Sequence, residues 1–248
     1  MKEALTYAAL TNQGLVRKNN EDSYACYLAE GGWPAVFCVA DGMGGHQNGE
    51  LASRTAAEYC IERLSSDLGS QNQPERVEQV LSDMIQKANV KVYLKSLESE
   101  ENTGMGTTLT TAVFFPSSVY LAHIGDSRCY ILRGGEFEKI SRDHTMIQEL
   151  LDSGSLTEAE GKVHPQRHIL TQALGAPEYL RPEFLHIDLK KRDRFLLCSD
   201  GLHGMLDSKT IAEILRSSDA PDECAQELVQ QALEKGGQDN ITVIVIFS

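Results

Sequence analysis

Apolar runs with β-type patterning recur along the chain at 6–10, 23–28, 35–40, 107–115, 119–124, 128–132, 184–189, 194–198 and 241–247, either alternating with polar residues or continuous. Between them lie stretches with helical spacing. The segment 49–68 sets Ala52, Ala56, Tyr59, Cys60 and Leu64 on one face, and 74–97 does the same with Val77, Val80, Leu81, Met84, Ile85, Ala88 and Val92. Pro74 suits a first helical turn. A third helix is expected from near Asp207 and a fourth over 221–235. Two helices follow the third strand together and two precede the last one, while the other strands are mostly consecutive. That order predicts antiparallel sheets covered by helices rather than alternating βαβ units. The polar segment 142–182, with His144, His164 and His168, lacks such periodicity and reads as a helix-containing surface excursion.

No Pro/Gly/Ser linker and no fixed-period repeat divides the 248 residues, so one domain spanning 1–248 is expected, with 142–182 as a flap and surface excursion. The balance of 23 Lys+Arg against 36 Asp+Glu gives a formal net charge of -13. Binding to a phosphate backbone depends on cationic side chains, so neither nucleic acid nor an anionic membrane is an expected partner. No stretch approaches the roughly 20 apolar residues of a membrane span. None of the six cysteines (Cys26, Cys38, Cys60, Cys129, Cys198 and Cys224) forms a CxxC pair, and Cys38 and Cys198 lie in apolar runs. They read as small core residues in a reducing environment. A cytoplasmic location follows as an expectation.

The chemistry is concentrated in five aspartates, each in a short motif of its own. They are Asp22 in Arg17-Lys-Asn-Asn-Glu-Asp22, Asp41 in Asp41-Gly-Met-Gly-Gly, Asp126 in Gly125-Asp-Ser-Arg, Asp200 in Ser199-Asp-Gly, and Asp239 in Gly237-Gln-Asp-Asn240. Three of the motifs follow apolar runs, which places their carboxylates where buried strands reach the surface. Carboxylates converging on one spot repel one another, and hard divalent cations with oxygen ligands are the natural neutraliser. Asp41 can bridge two cations through its two oxygens, and Gly42 permits the close backbone approach that a carbonyl ligand requires. Arg17 can hold two phosphate oxygens through its planar guanidinium. A lone Asp-Gly is usually an ordinary turn; five such motifs together are not explained that way. His164 and His168 have HxxxH spacing, but Pro165 interrupts a helical presentation and no nearby acid completes a site, so no metal is expected there.

Taken in order, these motifs resemble the metal-dependent Ser/Thr protein phosphatase family, type 2C (PPM), and in particular its compact bacterial members. The resemblance rests on Gly14-Leu-Val-Arg17 with Asn20-Glu-Asp22, Asp41-Gly-Met-Gly-Gly-His46, Gly104-Met-Gly-Thr-Thr108, His123-Ile-Gly-Asp126-Ser-Arg128, Asp143-His144, Ser199-Asp-Gly-Leu202 and Gly236-Gly-Gln-Asp239-Asn-Ile-Thr-Val243. It implies an α+β fold, a four-layer αββα sandwich of two antiparallel sheets flanked by helix pairs. It also implies two Mn2+ or Mg2+ ions and a third, weaker one. Asp41 would bridge the core ions, the Gly42 carbonyl would complete one of them, and Asp200 and Asp239 would bind the other. Asp22 and Glu21 would act directly or through water, with Glu21 and Asn240 supporting the ligands, and Asp126 would share the third ion with Asp200.

The expected reaction is hydrolysis of phosphoSer and phosphoThr monoesters by direct attack of a metal-bridging hydroxide, with Arg17 offsetting phosphoryl charge and no covalent phosphoenzyme. Where many eukaryotic members carry a histidine after the first Asp-Gly, this chain has Met43, which leaves the general acid unassigned; His46 is a secondary candidate. Arg167, in the segment after the flap, is a candidate substrate contact. The expected partners are phosphorylated proteins and a separately encoded Ser/Thr kinase, with the phosphatase itself a monomer. Two rivals are a catalytically silent member that binds phosphoproteins and a metal-dependent phosphodiesterase.

Overall fold

The computed structural model describes residues 5–44, 48–69 and 74–248. Its first half runs β1 (Thr6–Asn12), β2 (Asp22–Leu28), β3 (Ala35–Met43), α1 (Asn48–Asp67), α2 (Pro74–Ser96), β4 (Gly106–Thr107), β5 (Leu109–Phe115), β6 (Ser118–Ile124), β7 (Arg128–Arg133) and β8 (Glu136–Lys139). The second half runs α3 (Met146–Asp152), α4 (Glu158–Val163), β9 (Glu183–Asp188), β10 (Arg194–Cys198), α5 (Asp200–His203), α6 (Ser208–Ser217), α7 (Pro221–Glu234) and β11 (Ile241–Phe247). One sheet has the order β1-β11-β10-β7-β8; the other has β2-β3-β5-β6-β9, with β4 paired to β3. Every strand pairing is antiparallel.

The continuous apolar strands are explained by burial on both faces. Along β3, Val36, Cys38 and Ala40 pack against α1 and α2, while Ala35, Phe37 and Val39 face the opposite sheet. Along β11, Val243, Val245 and Phe247 pack with α6 and α7, and Ile244 and Ile246 join the layer between the sheets. Period-two alternation thus serves two cores at once. An edge-to-face series, Tyr7–Phe37–Phe114–Phe195, runs through the middle layer with centroids 4.9, 5.6 and 5.1 Å apart. The layers are therefore α1/α2, sheet, sheet, α6/α7, the αββα sandwich that the family resemblance implies and that fits the antiparallel, helix-covered sheets read from the order of elements.

Two short strands were not expected as separate elements: β4 overlaps the 107–115 run only at Thr107, and β8 lies outside the runs. The expected strand over 107–115 is split at Thr108, although the register with β3 is the same on either side. At the break the Thr108 amide still donates to the Asp41 carbonyl at 2.9 Å. The Asp41 amide, however, donates to the Thr108 hydroxyl at 2.9 Å instead of to a backbone carbonyl. One ladder bond has been exchanged for a side-chain bond at an aspartate. The segment 142–182 contains α3, capped by Thr145, and α4, opened by a Thr157–Glu160 capping box. Isolated bridges Thr145↔Leu170 and Thr107↔Leu174 tie its return to the sandwich.

Candidate active site

Strand register brings the five aspartates to one end of both sheets. In the second sheet Asp22, the first residue of β2, lies directly opposite Asp41 near the end of β3. In the first sheet Arg128, Cys198 and Val243 are aligned across β7, β10 and β11. The loops carrying Asp126, Asp200 and Asp239 therefore leave the sandwich side by side. Buried polar residues gather at the same end, among them Thr107, Thr108, Thr110, His123, Ser127, Ser199 and Thr242.

Electrostatics shows how close the carboxylates are. Burial pushes the Asp41 carboxyl well above its ordinary range, and the charges of Asp22, Asp200, Asp126 and Asp239 add to the shift. Asp22 is raised to about 7 by burial, reinforced by Asp200 and Asp239, although hydroxyls of Ser199 and Thr242 oppose the rise. Asp126 is raised to about 7, by burial and then by Asp200 and Asp143. Burial also acts upward on Asp200, but His168, His203 and a hydrogen bond from Asp41 outweigh it and leave this carboxyl below its usual value. Glu21 is raised, chiefly by burial. The carboxylates share one field without closing on a point: among the described residues, no three His, Cys, Asp or Glu side chains are drawn to the spacing of a metal cage.

An arginine and a histidine reach this acidic centre. The Arg17 guanidinium donates to Asp239 at 2.6 Å, with about half of the arginine side chain and a third of the aspartate exposed. His168 Nδ1 lies 3.7 Å from Asp200 Oδ2, a charge contact rather than a hydrogen bond. Sequence spacing suggested no acid partner for His168; the fold supplies one from a strand end 32 residues away, because the return of the 142–182 segment crosses the site. His164 caps α4, and its Nδ1 accepts from the Gln166 amide. His46 lies outside the described residues.

The backbone around Asp41 is held from several directions. The Glu21 carbonyl accepts from the Gly42 amide at 3.1 Å and from the Ser53 hydroxyl at 2.6 Å. A Cβ on Gly42 would fall onto the carbonyl oxygens of Gly49 and, at 2.6 Å, of Glu21, so only glycine fits where β2, β3 and α1 meet. Asn240 fastens the Arg17–Asp22 loop to the β11 entry. Its Oδ1 accepts from the Glu21 amide at 2.8 Å, and its Nδ2 donates to the carbonyls of Gln13 and Asn19 at 2.8 and 2.9 Å.

Several contributors escaped the sequence reading. Arg128 makes a forked pair with Asp143, with Nε and Nη2 donating at 2.6 to 3.1 Å, and Lys139 adds a bond at 3.1 Å. His203 Nε2 donates to the Asp126 carbonyl at 3.0 Å. These groups hold the Asp126 loop from both sides. The Asp-His and Ser-Arg pairs were visible as motifs, but their pairing across the fold was not. His203 had one local signal, its place a helical turn after Asp200.

An αββα sandwich with a half-buried polyacidic centre at one end defines the class of protein. Comparison with known proteins then narrows it: the family model Protein phosphatase 2C matches residues 10–241. The chain is 35% identical over 240 residues to the serine/threonine phosphatase stp of Listeria monocytogenes, covering 95% of this chain and 93% of that one. It is 39% identical over 243 residues to the serine/threonine protein phosphatase PstP of Mycobacterium tuberculosis, covering 97% of this chain and 44% of that longer protein. A solved catalytic domain of PstP in complex with two manganese ions superimposes with a TM-score of 0.85 at 36% identity, covering 98% of this chain and 97% of that one. The chain belongs to the protein phosphatase 2C family, and its relatives are serine/threonine phosphatases.

Proposed function

We propose that this protein hydrolyses phosphoSer and phosphoThr monoesters on protein substrates with the help of divalent cations. The observation that carries the reading is the half-buried Asp41 carboxylate in the combined field of Asp22, Asp126, Asp200 and Asp239. Keeping that much negative charge ionised in a partly desolvated place is costly without cations, and the donors are all hard oxygens suited to Mn2+ or Mg2+. Asp41, the Gly42 carbonyl, Asp200 and Asp239 would hold two ions, with Asp22 and Glu21 acting directly or through water, and Asp126 and Asp200 sharing a third. Bound cations would supply a water of lowered pKa and would offset charge on the phosphoryl oxygens.

The chain's own residues bind and orient. Arg17, half-exposed beside Asp239, would turn its fork to two oxygens of the substrate phosphoryl group and fix the phosphorus for in-line attack. Asn240 keeps the Arg17 loop in register with the Asp239 loop. The segment 142–182, whose return sets His168 beside Asp200, lies where a phosphoprotein would approach and supports a role in substrate selection for that excursion of an otherwise single catalytic domain. No helix among the described residues is long and apolar enough to cross a membrane. The six free thiols support a reducing, cytoplasmic setting, with a monomer acting against a separately encoded kinase.

The test is turnover of p-nitrophenyl phosphate and of a phosphothreonine peptide by purified protein with EDTA, Mg2+ or Mn2+, beside bis-p-nitrophenyl phosphate. Metal-dependent cleavage of both monoesters is expected, with the diester slower, and Asp41→Asn and Asp239→Asn are expected to lose at least about a hundredfold while folded. Full activity of both variants would remove the proposed ligand assignment. A faster diester would favour the phosphodiesterase rival, and inactivity of folded, metal-loaded wild type would favour the silent binding module.

A further inference from the structure

Three threonines, Thr107, Thr108 and Thr110, sit where β4 runs into β5, beside the end of β3 that carries Asp41. All three are buried. The Asp41 carbonyl accepts from the Thr107 hydroxyl and from the Thr108 amide, each at 2.9 Å. The Asp41 amide donates to the Thr108 hydroxyl, also at 2.9 Å. Both backbone polar groups of Asp41 are thus bound to two consecutive threonines, and the amide depends on a side chain alone.

The same threonines reach the Asp126 loop. Thr108 Oγ1 lies 2.8 Å from Ser127 Oγ. Neither residue is more than 2% exposed, so neither hydroxyl can trade its partner for water. On the other side of Asp126, Gly125 adopts a φ of +104° and presses on the same side chain. A Cβ built on Gly125 would come within 2.5 and 2.6 Å of Thr108 Cγ2 and Cβ, so only glycine fits there. The residues before and after Asp126 are therefore both seated on Thr108. Thr110 adds a further hold: its hydroxyl donates to the Ser127 carbonyl at 3.2 Å and meets Nδ1 of His123, its cross-strand partner, at 2.8 Å.

We infer that Thr108 is a positioning residue that locks the Asp41 backbone to the Asp126 loop, so that two carboxylates from different elements keep a fixed spacing in the acidic centre. The inference rests on the cation-dependent reading above. Its physical motive is charge: Asp41 and Asp126, when both are ionised, repel one another and drive the strand end and the loop apart. A buried hydroxyl bonded to a β3 amide on one side and to a loop serine on the other resists that separation. The inference gives the Gly104-Met-Gly-Thr-Thr108 motif a task. It also explains why the sheet exchanges a backbone ladder bond for a side-chain bond at Asp41 and nowhere else along β3 and β5.

The experiment compares Thr108→Val, Thr108→Ser and Ser127→Ala with wild type. Exchange of the Asp41 amide is followed by NMR on the metal-free protein, Mn2+ binding by calorimetric titration, kcat and KM by p-nitrophenyl phosphate turnover, and folding by circular dichroism. Thr108→Val keeps the shape but removes both the acceptor of the Asp41 amide and the partner of Ser127. Asp41 exchange is expected to quicken, and Mn2+ affinity and kcat to fall, each by about tenfold, with KM little changed. Thr108→Ser restores the hydroxyl and is expected to bring all three to within about threefold of wild type. Ser127→Ala cuts only the link to the loop. Asp41 exchange should then stay at the wild-type rate while Mn2+ affinity and kcat fall by about threefold or more. Wild-type Mn2+ affinity and kcat in Thr108→Val or in Ser127→Ala, or a Thr108→Ser variant as impaired as Thr108→Val, overturns the inference. Ser127→Ala decides the matter alone if Thr108→Val does not fold. Failure of the wild type to bind Mn2+ at all instead overturns the reading on which the inference rests.

Discussion

Replacing Asp143 by asparagine removes the charge from a carboxylate that receives three bonds from Arg128 and one from Lys139. The Asp143 side chain is only 8% exposed, and that of Arg128 is 25% exposed. Burial acts to raise the Asp143 carboxyl, but the Arg128 charge and its hydrogen bonds, with help from Lys139, hold it down at about 2 against an ordinary 3.8. Because the folded-state value is depressed, the stabilisation is complete above the unfolded value and is lost as pH falls through the folded one. A difference of nearly two units corresponds to roughly 2 kcal/mol at neutral pH, of which about half remains at pH 3. Asp143→Asn should therefore cost roughly 2–3 kcal/mol at pH 7, because it also leaves the Arg128 charge largely buried and unpaired. For a chain of this size that lowers Tm by about 4–10 °C. Urea unfolding of wild type and variant at pH 7 and pH 3 measures both numbers. The double variant Asp143→Asn/Arg128→Met should recover part of the loss. A cost below about 0.5 kcal/mol, or one that is the same at both pH values, would refute the view that this pair holds the Asp126 loop electrostatically.

Two further outcomes follow from contacts at the site. Gly42→Ala places a methyl group against the carbonyls of Gly49 and Glu21, so one of three backbone segments must move. A loss of about 2 kcal/mol or more in unfolding free energy and of most metal-dependent turnover is expected, and a variant of wild-type stability and activity would show that the junction is soft. Arg17→Lys keeps the charge beside Asp239 but loses the fork. It should lower kcat/KM for p-nitrophenyl phosphate by about ten- to a hundredfold, and unchanged kinetics would remove Arg17 from the phosphate site.

Antiparallel sheets covered by helices were legible in the order of strands and helix pairs, and the sandwich in the family resemblance; burial of β3, β5, β10 and β11 on both faces is the physical reason their runs are apolar. The two long helices announced themselves by the spacing of Val77, Leu81, Ile85, Ala88 and Val92 and of their counterparts on α1. The short pieces were not legible. β4 is two residues long and exists because Gly106 and Thr107 continue the β3 register past a break made by the Thr108 hydroxyl. β8 is a half-exposed hairpin return with too little burial to leave a pattern. The five aspartates stood out by their motifs, but nothing local says that Arg17 meets Asp239, that His168 meets Asp200, or that the Ser199 hydroxyl meets Asp22.

What the sequence by itself determined is what short-range patterning encodes: which segments bury two faces, which bury one, and where a buried strand ends in an acid and a glycine. Those features depend on each residue's own hydrophobicity, conformational range and charge, and they survive being read one window at a time. Only the tertiary structure decided how the strand ends align. The Asp22↔Asp41 pairing and the alignment of Arg128, Cys198 and Val243 set which charges share a field. Carboxyl pKa values, the Arg128–Asp143 fork and the Ser199–Asp22 bond all depend on distances of a few ångströms between residues far apart in sequence. Coulombic and hydrogen-bond energies change steeply over such distances, so the site's chemistry is a property of the fold.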